Sequence, residues 1–154
     1  MAILQDTAAV RDVLRNYRTV AVIGAHVKPS KPAHYVPQYL HDHGYTILPV
    51  NPVYEGEILF NRAVTSNLAE AAKAYSEQQP TKKIEVVNVF RRSEQVAHHL
   101  DEMLELAPKL VWLQLGIRND DVAHALNEAG IDVIQDRCML ADHRVLIGKG
   151  VTST

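Results

Sequence analysis

Residues 20–32 read VAVIGAHVKPSKP. A short β-branched run stops at Gly24, which is the pattern of a buried strand entering a turn. In open α/β sheets such a turn is where a phosphate meets the first helix. A dinucleotide turn, G-x-G-x-x-G, would need two further glycines so that backbone could approach a pyrophosphate closely. They are absent, and Lys28, Ser30 and Lys31 stand there between prolines. The loop offers charge in place of close backbone approach.

Outward from this stretch the chain alternates short apolar runs with amphipathic segments. TVAVI (19–23), TILPV (46–50), IEVVNVF (84–90), KLVWLQL (109–115) and IDVIQ (131–135) read as strands, and Ile58-Leu59-Phe60 as a short strand or turn. Val10, Val13 and Leu14 follow Asp6-Thr7 at helical spacing. Tyr35, Val36, Tyr39 and Leu40 mark a helix face ending at Gly44. Asn67 to Glu77 is an alanine-rich helix closed by Pro80. Ser93 is expected to cap a helix running to about Leu106, and Asn119 to cap one ending at Gly130. Residues 139–154 carry no clear pattern, and Thr-Ser-Thr at the end is expected to fray.

Strands that are apolar nearly throughout are buried on both faces, which means a parallel sheet covered by helices. Right-handed crossovers then give an α/β fold: one Rossmann-like, doubly wound, mainly parallel sheet with helices on both faces. A flavodoxin-like strand order is the nearest alternative. The 154 residues are expected to form one domain with its core at about 19–138, too short for the eight units of a TIM barrel.

Composition narrows the function. A net charge of -2 gives no general attraction to nucleic acid or to an anionic membrane, so any polyanion site must be a local cluster. A lone cysteine, Cys138, allows no internal disulfide. MAILQDTAAVRDVLRNYR lacks the basic and apolar regions of a secretory signal, and no run approaches the length of a membrane span. A cytoplasmic protein is expected.

Ligands of such sheets bind beyond the carboxyl ends of the strands, where strand order reverses. The first strand and IEVVNVF should flank that point. Their loops would then gather Lys28, Lys31, Arg91 and Arg92 around one crevice, a set that suits a polyphosphate. The second strand ends in Val50-Asn51-Pro52 with no carboxylate for a ribose diol, which argues against NAD. Coenzyme A, with a pyrophosphate and a 3′-phosphate, fits the charge better.

In VAVIGA, KPSKPAHYVPQYLHDHGY, ILPVNPVYEGE, VVNVFRRSEQV, VWLQLGI and AGIDVIQDRC, spread over 19–138, the chain resembles the small stand-alone coenzyme A-binding proteins of bacteria and archaea. These in turn look like the nucleotide-binding domain of the succinyl-CoA synthetase alpha subunit. The resemblance implies that Gly24 and Ala25 lie near the pyrophosphate and that Lys28, Ser30 and Lys31 meet phosphates. It implies that Val50, Asn51 and Pro52 border the adenosine, that Phe90, Arg91 and Arg92 cross the switch point, and that Gly116 leaves room for the pantetheine arm. Lys31 stands where many relatives carry arginine, a point charge in place of a fork.

The expectation is a non-catalytic module that binds coenzyme A or an acyl-CoA as carrier, sensor or thiol reservoir. No G-x-S-x-G, P-loop or paired carboxylate marks a catalytic centre. The alternatives are an NAD(P)-dependent oxidoreductase, an acyl-CoA ligase subunit needing a partner, and an interaction protein with no ligand. His41-x-His43 and His98-His99 lack companions at metal-ligand spacing, so no metal is expected. Cys138 and Trp112 read as core residues, and the few aromatics argue against single-strand nucleic-acid binding. A homodimer accords with base rates, though no sequence feature demands it.

Overall fold

The structure, a computed structural model, describes residues 4–148; the expected fraying at 152–154 lies outside them. In chain order the elements are α1 (Thr7–Asn16), β1 (Thr19–Ile23), α2 (Pro32–Asp42), β2 (Thr46–Val50), β3 (Ile58–Leu59), β4 (Arg62–Ala63) and α3 (Leu68–Gln78). There follow β5 (Val86–Val89), a 3₁₀ stretch (Ser93–His99), α4 (Leu100–Leu106), β6 (Leu110–Leu113), α5 (Asp120–Glu128), β7 (Asp132–Ile134), α6 (Met139–His143) and a π-helical turn (Arg144–Gly148).

Five strands form a parallel sheet in the order β2-β1-β5-β6-β7, and β3-β4 is a separate hairpin. Counting whole strands, this order is the flavodoxin-like one. A single parallel bridge between Val50 and Thr65 lies where a Rossmann sheet carries one more strand beyond β2. The hairpin and α3 take up the rest of that connection. Either way β1 and β5 are neighbours, and the order reverses between them.

Alternation along the strands sorts the core into two layers. Val20, Val22, Ile47, Val86, Trp112 and Ile134 pack against α1, α2 and α6. Ala21, Ile23, Leu48, Val87, Val111 and Val133 pack against α3, α4 and α5. Each central strand is buried along its whole length, which is why these runs are apolar at every position but Thr19 and Asn88.

Asn119 caps α5 as expected, its Oδ1 accepting the Val122 amide at 3.0 Å, and Asn67, read as the first residue of a helix, caps α3 in the same way by accepting the Glu70 amide at 2.8 Å. Ser93 departs from expectation. Its side chain caps no helix, and Oγ accepts the Arg118 amide at 3.0 Å, joining the loops after β5 and β6. The chain after it winds as 3₁₀ helix until α4 begins at Leu100. Tyr35 also departs: it is 45% exposed, turned off the buried face that Val36 and Leu40 hold. The Phe60-Asn61 turn of the hairpin takes two left-handed residues, φ 55° and 64°.

Candidate functional site

The loops at the carboxyl ends of the strands are laced together by backbone. The amides of Gly24 and Ala25 donate to the Val50 carbonyl at 2.9 and 3.3 Å, and the Phe90 amide to Ile23 at 2.9 Å. Gly24 has φ +87°, and a Cβ there would stand 2.4 Å from the Phe90 carbonyl oxygen. Only glycine lets the turn after β1 pass this close to the end of β5.

Asn51 holds the same loop from the other side. Its Nδ2 donates to the Ala25 carbonyl at 2.9 Å, and its Oδ1 accepts the Val53 amide at 3.0 Å. Pro37, inside α2, has no N–H for the Ala33 carbonyl one turn back. That carbonyl accepts the His26 amide at 3.2 Å, so a residue that weakens the helix ties the loop to it. The His26 Nδ1 accepts the Lys28 amide at 3.0 Å, which leaves Nε2–H to donate to the Tyr54 hydroxyl at 3.2 Å.

On this frame sits an open cleft of about 930 Å³. One wall is the start of α2, with Lys31, Pro32 and Tyr35; the other is the run from Phe90 to Glu94. The floor continues through Gln114, Leu115, Gly116 and Ile117 to Cys138. Of the twelve residues singled out in the sequence, Gly24, Lys31, Phe90, Arg91, Arg92 and Gly116 line it. The others lie outside the lining. Ala25 and Val50 are core, Asn51 holds the loop, and Lys28, Ser30 and Pro52 are exposed on flanking turns.

In the uncharged half of this cleft sequence reasoning named Gly116 but missed its neighbours Gln114 and Leu115. Gln114 is 3% exposed, and its Nε2 donates to Asn88 Oδ1 at 2.9 Å beneath the floor. A glutamine inside the apolar run KLVWLQL was the available signal. Cys138, expected in the core, is only half-buried and lines the cleft. Arg137 does not serve it: the guanidinium holds Asp142 through two hydrogen bonds of 2.7 and 2.9 Å. That pairing raises the Arg137 pKa.

The electrostatics ask for an anion. Lys31 occupies the N-cap of α2 and makes no side-chain capping bond, so a cation sits at the positive end of a helix. Arg91 adds a second cation whose Nε is buried without a hydrogen-bond partner. Buried donors in native structures are normally paired, and this one belongs to a side chain that lines the cleft. Lys31, Arg91 and Arg92 make the gap between α2 and the end of β5 locally positive. Among the described residues, no three or more His, Cys, Asp or Glu side chains gather where they could hold a metal ion. Nor is any described helix long and apolar enough to cross a membrane.

Fold and cleft together define a Rossmann-like α/β protein with an open cleft where the strand order reverses. The chain belongs to the CoA binding domain family, whose model matches residues 18–144. It is 36% identical over 138 residues to the uncharacterized protein YneT of Bacillus subtilis (strain 168), covering 90% of this chain and 94% of that protein. Among solved structures it is similar to cell-free ID.343 from Thermus thermophilus: TM-score 0.82 and 42% identity over 93% of this chain and all of the other. A hypothetical protein from Pyrococcus horikoshii matches at TM-score 0.79 with 29% identity, covering 94% of each chain.

Proposed function

We propose that this protein binds coenzyme A or an acyl-CoA reversibly, as one self-standing module without catalytic chemistry of its own, serving as carrier, sensor or thiol reservoir. The observation that carries the reading is the buried, unpartnered Arg91 Nε across the cleft from the N-terminus of α2. In this reading Arg91, Arg92 and Lys31 hold the phosphates. Gly24 keeps the turn close to β5, and Gly116 leaves the floor open. Ala25, Val50, Asn51 and Pro52 shape the loops at the adenosine end, while Lys28 and Ser30 approach the phosphates from the exposed turn. The oxidoreductase alternative is weaker. Asn51 ends β2 where a ribose-binding carboxylate would be needed, and both ends of its side-chain amide are engaged by the loop.

Calorimetric titration with coenzyme A, dephospho-coenzyme A, NAD and NADP under reducing conditions tests this. Coenzyme A should bind tightest and weaken with salt. Its affinity should fall when the 3′-phosphate is removed, and at least tenfold, about 1.4 kcal/mol, in Arg91→Ala. Preference for NADP would overturn the reading in favour of an oxidoreductase, and silence for all four would favour an interaction protein.

A further inference from the structure

The cleft changes character along its length. Lys31, Arg91 and Arg92 stand at the α2 and β5 side, and the floor beyond them is lined by Gln114, Leu115, Gly116 and Ile117, all uncharged. On the coenzyme A reading the phosphates lie at the cations and the pantetheine arm runs over β6. From the turn after β1 to the loop after β6 is two inter-strand steps, about 10 Å at ordinary spacing. From phosphate oxygen to sulfur the arm is a chain of about twelve bonds, the backbone length of four residues, and reaches about 14 Å extended. A group attached to the sulfur therefore lies over Leu115 to Ile117 or just past them.

Two observations describe what such a group would meet. The first is apolar surface. Tyr35 and Leu115 are 45% and 69% exposed, and both line the cleft, Tyr35 from the α2 wall and Leu115 from the floor. An exposed large apolar side chain is ordinary when it stands alone. Two in one concave site, with the half-buried Ile117 in the same lining, are surface that a ligand can cover. The second is the sign of the nearby charge. The two arginines of this end are held by carboxylates, Arg137 by Asp142 at 2.7 and 2.9 Å and Arg118 by Asp120 at 3.3 Å, and neither lines the cleft. Glu94 does line it, and the bond from the Arg118 amide to Ser93 Oγ keeps the neighbouring Glu94 close to the loop after β6. Asp136 Oδ1 accepts the Gly116 amide at 2.6 Å, which adds a second carboxylate at the floor. A negative group there would meet like charge.

Resting on the coenzyme A reading, we propose that the ligand is a thioester whose acyl group is uncharged and apolar, and that the floor around Leu115 selects it over free coenzyme A and over thioesters ending in a carboxylate. The acyl chain lies against Leu115, Ile117 and the Tyr35 ring, while Glu94 and Asp136 repel a terminal carboxylate. Each methylene taken fully out of water is worth about fourfold in affinity. The cleft is open, so the gain comes with the first few carbons and then levels off. The protein thus distinguishes acylated from free coenzyme A, and neutral acyl groups from acidic ones.

The test is calorimetric titration with coenzyme A, butyryl-CoA and succinyl-CoA, the last two having acyl groups of equal carbon count that differ by a terminal carboxylate. Butyryl-CoA should bind roughly fivefold tighter than coenzyme A and roughly tenfold tighter than succinyl-CoA. Leu115→Ser, a change at an exposed side chain, should cut the first ratio roughly threefold. Glu94→Gln should cut the second by a similar factor. Equal affinities for coenzyme A and butyryl-CoA would overturn the proposal and leave the coenzyme A reading standing. Succinyl-CoA binding as tightly as butyryl-CoA would do the same, as would wild-type ratios in both variants. Silence for all three ligands would sink the underlying reading and the proposal with it.

Discussion

The two ends of the sheet use the same kinds of side chain to opposite effect. At the carboxyl end, Arg91 lines a cleft and keeps its Nε without a hydrogen-bond partner. At the amino end most polar groups are paired with one another, although Arg18 Nε is buried there without a partner. Glu85 Oε1 accepts the Arg18 and Thr19 amides at 2.8 and 3.2 Å, and the buried Tyr45 hydroxyl donates to the Leu14 carbonyl. Tyr39 and His143 share a hydrogen bond of 3.0 Å, His43 stacks on Tyr39 at 4.0 Å, and the Arg18 guanidinium lies over the Tyr45 ring at 4.8 Å. Groups satisfied inside the protein hold the fold together. The open Arg91 Nε belongs to a side chain that lines the cleft, whereas the open Arg18 Nε belongs to one packed over the Tyr45 ring. Stability and binding should therefore separate by which end is altered.

The largest effect is expected where the two properties cannot separate. Gly24→Ala puts a Cβ into the Phe90 carbonyl and forces a left-handed residue to carry a side chain. The strain and overpacking should cost on the order of 4 kcal/mol. Urea denaturation reads the loss, and coenzyme A affinity should fall with it. An unchanged midpoint would mean that the close contact between the β1 and β5 ends is not rigid.

Next comes the amino end alone. Burial, then His43 and Arg18, push the His143 pKa down from 6.5 to about 4. The unfolded chain binds a proton there below 6.5 while the folded one refuses it. The stabilising contribution is therefore complete above pH 6.5 and is lost as pH falls toward 4, amounting to up to about 3 kcal/mol. His143→Phe should flatten the stability profile between pH 6.5 and 4 and leave coenzyme A affinity at pH 7.5 within twofold. An unaltered profile would show that other groups control acid unfolding.

The carboxyl end alone should behave in reverse. Arg91→Ala, the variant that lowers affinity at least tenfold, should change the urea midpoint by less than about 0.5 kcal/mol, since the side chain's Nε has no internal partner to lose. A large stability loss would mean that Arg91 supports the fold and would erase the contrast between the two ends. Smallest is a change at neither end. Asn61→Gly, in a turn where φ is 64°, should add a few tenths of a kcal/mol and leave binding alone.

Some of this was legible at once and some was not. β1 and β2 begin and end where their sequences say, because a β-branched run met by Gly24, or by Asn51-Pro52, has no other conformation to continue in. Asn67 as a helix start and Asn119 as a cap were legible because a cap bonds within its own turn. Ser93 resembles them in type and place, yet its partner is the Arg118 amide, 25 residues away. The Ala33 carbonyl that Pro37 leaves open looks like a helix defect until the His26 amide is brought to it. Half of the cleft was foreseen from charges at strand ends. Of the other half only Gly116 was foreseen, since Leu115, Ile117 and Cys138 look like core until burial is measured.

By itself, then, the sequence determined the class of sheet, the ends of its strands and the convergence of Arg91, Arg92 and Lys31 on one crevice. Each follows from local periodicity and from the rule that parallel strands deliver their loops to a common edge. Only the tertiary structure decided which polar atoms stay unpaired. It paired the Gly24 and Ala25 amides with the Val50 carbonyl, engaged Asn51 in the loop, and left Arg91 Nε without a partner. A hydrogen-bond partner is a matter of position in space, and residues far apart in the chain acquire one only when the sheet brings their loops together.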